Sequence, residues 1–322
     1  MKAIITVAPQ HSIIKEIEAP AMNDDAVLIK LKYCGVCHSE HYDWKTKGGS
    51  FGHEPMGIIV QVGKNVTGFS VGDRVSGLWG STLPGSGGMV EYAVADPRFS
   101  TIVKLPDNVR DEDLVLEPLA CIYSAVSKVR CPMPGTRVCV VGCGYMGCGA
   151  VSLLKRRGCR VVAVDIRAAS RADALQYGAE EALSPEEAME KYAGMGFEAV
   201  MEWGETNESL DTAINLTSMC GQLCIGAYHT GEKRLIDMQQ LNVKAIEMLS
   251  VHPREAELSS IGAQNAAEML SSGEWDYKDI PTMVYPMKRF DQAQADLETK
   301  YGHHMKALIN MEMEDGEPYM AE

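Results

Sequence analysis

The sequence predicts an α/β protein with a β-rich first third followed by a doubly wound parallel sheet. Three observations carry this. Short apolar runs separated by glycines fill the chain up to about residue 121. From about residue 122, β-branched runs alternate with helical stretches. One of those runs ends in Gly142-Cys143-Gly144-Tyr145-Met146-Gly147 and leads directly into a helical pattern, as a nucleotide-binding βα unit does.

In the first third, Ile29, Leu31 and Tyr33 alternate with Lys30 and Lys32, the pattern of a half-buried strand. Glycines at 52, 57, 63, 68, 72, 77 and 80 place turns between short strands. Gly80 to Gly88 reads as a loop on composition. Arg137 to Val141 is a strand, a helix runs through Leu154, and Arg160 to Val164 is the next strand, ending at Asp165. Further strands are expected at Ala199–Met201, Leu223–Ile225 and Met248–Val251, with helices between them. Beyond 260 come a helix (Ala263 to Ser271), mixed loops and a last strand near Ala307 to Met311. The acidic tail Glu312 to Glu322 is expected to be mobile.

The 322 residues suffice for two domains and a large core. The formal charge of -14 argues against nucleic acid or an anionic membrane as partner. No run is long enough to span a bilayer. Ten cysteines in scattered spacings do not resemble a secreted disulfide framework and fit a reducing, cytoplasmic setting.

The chemistry-bearing stretch is Cys34-Gly35-Val36-Cys37-His38-Ser39-Glu40, with His53-Glu54 beginning sixteen residues after Cys37. A thiolate, an imidazole and a carboxylate suit a tetrahedral zinc whose fourth position stays open, the mark of a catalytic metal. Cys-x-x-Cys-His also spells a haem attachment site, but the N-terminus lacks a run of signal length. A redox pair would leave His53-Glu54 unexplained. In the glycine motif, Gly142 permits a tight turn, Gly144 lets a pyrophosphate approach the backbone, and Gly147 lets helix and strand pack closely. The helix N-terminus favours phosphate. Asp165, eighteen residues past Gly147, is placed to bond the ribose hydroxyls of NAD and to repel a 2'-phosphate. Arg167 and Arg171 keep NADP as the alternative.

These motifs, in this order, resemble the zinc-dependent medium-chain alcohol dehydrogenases. Gly52-His53-Glu54-Pro55-Met56-Gly57, then Gly63 and Val66, reproduces that family's zinc signature, and Gly72-Asp73-Arg74-Val75 follows it. The resemblance runs from about residue 1 to 310. It implies a GroES-like catalytic domain from 1–121 and 260–322 around a Rossmann domain at 122–259. It puts the first catalytic ligand on Cys37 and the second on His53, with Glu54 a ligand in some members and a supporting group in others. Ser39 matches the hydroxyl that passes the alcohol proton outward. His38 falls near the pyrophosphate. Leu116-Glu117-Pro118 resembles the Glu-Pro motif of the polyol branch (sorbitol and threonine dehydrogenases), which makes Glu117 a further metal-site acid; the alternative is a helix cap. The cysteine ligand of simple-alcohol members falls on Ala120; Cys121, one step away, reads as a buried small residue.

The resemblance is incomplete in three places. The four-cysteine lobe that binds a structural zinc is missing, so one zinc per chain is expected. The stretch between Ser39 and Gly52 is short. The family's relay histidine has Tyr42 at its ungapped position and His41 one residue earlier. His303-His304 reads as solvated. The implied function is hydride transfer between a secondary alcohol (polyol, cyclitol or sugar derivative) and NAD. The alternatives are a biosynthetic carbonyl reductase using NADPH and a zinc- and nucleotide-binding protein without turnover. The partner is then a small alcohol or ketone, and the family's edge-strand association, here near Leu249, implies a homodimer or homotetramer.

Overall fold

The structure is a computed structural model that describes residues 1–79, 88–131, 133–299 and 303–322. Most of the expected loop at 80–88 therefore lies outside the described residues. In chain order the elements are β1 (Lys2–Ala8), β2 (His11–Glu16), β3 (Val27–Gly35), α1 (His38–Thr46), β4 (Pro55–Val62), β5 (Arg74–Leu78), β6 (Tyr92–Ala95), β7 (Thr101–Lys104) and α2 (Leu116–Ser127). There follow β8 (Arg137–Val141), α3 (Tyr145–Arg156), β9 (Arg160–Val164), α4 (Ala168–Gln176), β10 (Glu181–Leu183), α5 (Pro185–Tyr192), β11 (Phe197–Glu202), α6 (Asn207–Leu216), β12 (Thr217–Ile225), α7 (Met238–Lys244) and β13 (Glu247–Ser250). The last are α8 (Ala256–Ser272), β14 (Thr282–Pro286), α9 (Phe290–Thr299), β15 (Lys306–Asn310) and β16 (Tyr319–Met320).

The chain divides into two compact units, one of residues 1–118, 263–271 and 278–322, the other of 119–262 and 272–277. The first unit holds a sheet in the order β16-β14-β15-β3-β4-β5-β7, with β6 also on β3, and a β1-β2 hairpin. Its central strand β3 buries Val27, Ile29, Leu31 and Tyr33 and leaves Lys30 and Lys32 partly exposed, the period of two that a one-sided strand requires. Ile29, Leu31, Val75, Trp79, Tyr285 and Ile309 share its core.

The second unit is a parallel sheet in the order β10-β9-β8-β11-β12-β13. Its middle strands β8 and β9 are nearly continuous buried valine, as a sheet covered on both faces demands. The β-rich and doubly wound architecture is thus the one the sequence implies.

Two expectations fail. The tail is not loose: Tyr319 and Met320 pair with Val284 and Met283, and Glu312 and Glu314 each lie 2.7 Å from Lys30 and Lys2. Composition marked this tail as acidic, but its carboxylates have lysine partners on other strands. His304 is not solvated but 5% exposed, edge-on to the Tyr285 ring at 6.3 Å. His303 is exposed.

Candidate metal centre and nucleotide turn

In the first unit, β3 ends at Gly35 and Cys37 becomes the N-cap of α1, where the free N–H groups of a helix end favour an anionic sulfur. His53 and Glu54 precede β4, which is registered on β3 with Pro55 opposite Cys34. That pairing folds the sixteen-residue gap back on itself. Cys37, His53 and Glu54 each place one ligand atom within 4.8 Å of the others. Zinc bonds of about 2.0–2.3 Å in tetrahedral geometry need donors within about 4 Å of one another, so small shifts suffice, and thiolate, imidazole and carboxylate are zinc's donors.

His53 is held by Glu40, whose Oε1 lies 2.7 Å from His53 Nδ1 and accepts the Gly52 N–H at 2.8 Å. With Nδ1 on a carboxylate, Nε2 is the nitrogen left for a metal, the usual support of a ligating histidine. Burial opposes a charge on His53, but the hydrogen bonds and charges of Cys37 and Glu40 outweigh it and raise its pKa far above the ordinary imidazole range. Cys37 and Glu40 together therefore favour a positive charge at the ring. Ser39 donates to Cys37 Sγ at 3.2 Å. Cys34 is fully buried, and burial pushes its thiol well up. It packs beneath Gly52 and Gly88, where an added Cβ would lie 2.9 and 3.3 Å from its sulfur. Cys34 is thus a packing residue and Cys37 the accessible one.

Glu54 is 1% exposed and forms a buried ion pair with Lys306 at the start of β15. Burial lowers the lysine pKa, but Glu54, Cys37 and Glu117 outweigh it, and the net shift is upward. Glu117, in the first turn of α2, is half-buried and reaches this site through its charge on Lys306, while standing outside the three-atom cluster. His41 is buried against α9, with Nε2 3.0 Å from Glu298, and His38, exposed, stacks on it at 5.3 Å. Tyr42 is 39% exposed. Cys121 is partly buried and Ala120 fully so. Glu40 and Lys306 are the residues that sequence reasoning missed. Glu40 carries a signal once α1 is known to begin at His38, because it falls in that helix's first turn.

In the second unit the glycine turn joins β8 to α3. Gly142 has φ +91°, and Gly144 is the N-cap of α3. A Cβ on Gly144 would meet nothing within 4 Å, so a ligand can approach its backbone; one on Gly147 would strike the Gly142 carbonyl oxygen. Tyr145 and Met146 form the partly exposed first turn, and the Tyr277 hydroxyl donates to the Tyr145 carbonyl. Asp165 follows β9, and its Oδ2 accepts the Cys143 N–H at 2.7 Å. Its Oδ1 accepts the Arg167 N–H at 2.8 Å, with Arg167 Nε at 3.3 Å. Asp165 therefore also ties the glycine turn to the strand beside it. Arg171 donates to the Asp165 carbonyl at 2.9 Å.

Residues 23–107 match the alcohol dehydrogenase GroES-like domain, and residues 146–264 match the zinc-binding dehydrogenase domain. The chain belongs to the zinc-binding alcohol dehydrogenase family. An alcohol dehydrogenase of Geobacillus stearothermophilus is 34% identical to this chain over 206 residues, covering 53% of the chain but only 60% of that relative's length. The L-threonine 3-dehydrogenase of Ruegeria pomeroyi is 27% identical over 296 residues, 79% of the chain and 85% of the relative. The crystal structure of L-idonate 5-dehydrogenase from Escherichia coli shares the fold of this chain, with a TM-score of 0.82 at 18% identity over 96% of this chain and 97% of that one. Among the described residues, no helix is long and apolar enough to cross a membrane.

Proposed function

We propose that the protein is a zinc-dependent oxidoreductase that transfers a hydride between a secondary alcohol, of the polyol, cyclitol or sugar type, and NAD. The observation that carries this is the convergence of Cys37, His53 and Glu54 on one point, with the imidazole oriented by Glu40. The similarity to a threonine dehydrogenase, and to polyol-type dehydrogenases through Glu117, supports the substrate class. Zinc bound by Cys37 and His53, with Glu54 completing the set, would supply Lewis-acid activation of a substrate hydroxyl. NAD held on the glycine turn would supply the hydride acceptor.

The chain's own residues do the rest. Ser39 Oγ, at 3.2 Å from Cys37 Sγ, sits beside the metal ligands and takes the substrate hydroxyl proton toward solvent. Lys306 pairs with Glu54 and offsets part of the charge of Glu54 and Glu117. Glu117 would serve the substrate and not act as a permanent ligand, since a second carboxylate ligand would make the metal's own ligand set net negative and oppose loss of the hydroxyl proton. The turn Gly142–Gly147 serves the pyrophosphate, and Asp165 serves the ribose. Arg167 beside Asp165 supports NADP as the second reading. One chain holds one zinc, and the assembly is a homodimer or homotetramer.

The test is a screen of polyols, cyclitols and simple alcohols with both dinucleotides, read as reduced-nicotinamide absorbance. Glu117→Gln is expected to lower turnover more than zinc content, and Glu54→Gln to lower both. No turnover with any alcohol or ketone in a zinc-loaded protein would overturn the reading.

A further inference from the structure

The parallel sheet changes direction between β8 and β11, since the chain steps outward through β9 and β10 and then returns to β11, β12 and β13 on the other side. In such sheets ligands bind beyond the carboxyl ends of the strands at that switch. The glycine turn after β8 is one wall. The other is the turn Trp203–Thr206 after β11, and the two touch. A Cβ on Gly142 would lie 2.7 Å from both Gly204 N and the Trp203 carbonyl carbon. The Trp203 N–H donates to the Val141 carbonyl at 2.7 Å.

A buried polar network holds this second wall. Glu202, the last residue of β11, is fully buried. Its Oε1 accepts the N–H groups of Gly204 at 2.7 Å and Glu205 at 2.9 Å and the Ser209 hydroxyl at 2.6 Å. Its Oε2 lies 2.9 Å from His229 Nε2. His229 Nδ1 lies 3.3 Å from Arg234 Nε. A guanidinium nitrogen only donates, so Nδ1 accepts and the ring proton is on Nε2, directed at Glu202. Arg234 also donates to the carbonyls of Glu205 at 3.0 Å and Thr230 at 3.3 Å. Glu205 Oε1 accepts the Thr230 N–H at 2.8 Å and its hydroxyl at 3.0 Å. Glu205 and His229 have φ of 63° and 53° without being glycine. Such strained backbone persists where its surroundings over-determine it, and it clusters at ligand sites.

We infer that His229 is a positioning residue for dinucleotide pyrophosphate: it fixes Glu202, Glu202 pins the Gly204 N–H, and Gly204 backs the Gly142 turn that receives the phosphates. The inference rests on the dinucleotide reading above. Its reach is specific, because the chain of contacts ends at the pyrophosphate turn and not at the metal ligands.

The experiment titrates NAD and ADP-ribose, without alcohol, into wild type, His229→Gln and His229→Leu by calorimetry, with zinc content and melting temperature measured on the same samples. Glutamine can donate to Glu202 and accept from Arg234; leucine can do neither and leaves a buried acceptor unmet. His229→Leu is expected to weaken both ligands by about tenfold with zinc retained, and His229→Gln to restore affinity to within about threefold. Should the leucine variant not fold, Ser209→Ala removes another donor to Glu202 and is expected to weaken ADP-ribose several-fold; unchanged affinity there overturns the inference. Wild-type affinity in His229→Leu overturns it, as does a loss for NAD that spares ADP-ribose, or a glutamine variant as weak as leucine. A wild type that binds neither ligand overturns the dinucleotide reading along with it.

Discussion

Replacing Lys306 with methionine tests how the metal centre is balanced. The lysine and Glu54 side chains are 8% and 1% exposed, so solvent screens neither. Removing one partner of a buried pair leaves the other charge uncompensated, at a cost of about 3–5 kcal/mol. For a unit of this size each kcal/mol moves the melting temperature by about 2–4 °C, so the zinc-free variant should melt roughly 6–20 °C below zinc-free wild type. A zinc ion on Glu54 replaces the missing positive charge. In the zinc-loaded pair of proteins the drop should therefore fall to less than about half. Scanning calorimetry of the transition of the unit that carries Cys37, with and without chelator, measures both differences. An equal drop in the two states would show that Glu54 does not engage the metal. No drop in either would show that the pair contributes nothing to the fold.

Cys37→Ser should lose zinc and activity together while Cys34→Ser keeps both, with elemental analysis finding one zinc per chain in wild type; equal loss in the two variants would favour a two-cysteine site. Ser39→Ala should lower turnover by roughly 10²–10⁴ without releasing zinc, and near-normal turnover would route the proton through water instead. Wild type should prefer NAD by about tenfold or more, close to 1.4 kcal/mol, and Asp165→Ser should erode that preference and weaken both dinucleotides, because Asp165 also holds the Cys143 N–H; a wild type that prefers NADP would assign control to Arg167 or Arg171. The hydrogen bond from Lys2, with the bond and charge of Lys288, holds the Glu314 carboxyl below its ordinary 4.5. Its contribution is present above that value and lost as pH falls through the folded value. Wild type and Glu314→Gln should thus differ in melting temperature at neutral pH and converge in acid; a constant gap would contradict the anchoring role.

Local periodicity made β3, β8 and β9 legible, because side-chain burial there follows the two-residue or all-apolar pattern directly. The glycine turn was legible because its three glycines fall within six residues, directly after a strand and at the start of a helix. Cys37, His53 and Glu54 were legible because one hairpin-like register brings them together. What was hidden depends on long-range pairing. Lys306 meets Glu54 across 252 residues of chain, and nothing around Lys306 marks it as a partner. The tail looked unattached because its lysine partners lie on the first strands of the chain and on β3. The network around Glu202 was invisible because His229 and Arg234 lie in a stretch with no periodic pattern.

The placement of β15 between β14 and β3 sets an order of assembly. During synthesis the segment holding Cys37, His53 and Glu54 leaves the ribosome more than two hundred residues before Lys306. The second unit, nearly continuous in sequence, can complete its sheet in that interval, while the end of β3 at Tyr33–Gly35, beyond its pairing with β6, waits for β15. Until β15 arrives, the nascent chain carries a cluster of anionic ligands without its lysine. At that stage a metal ion on these ligands would offset their charge, which would tie metal supply to the yield of folded protein.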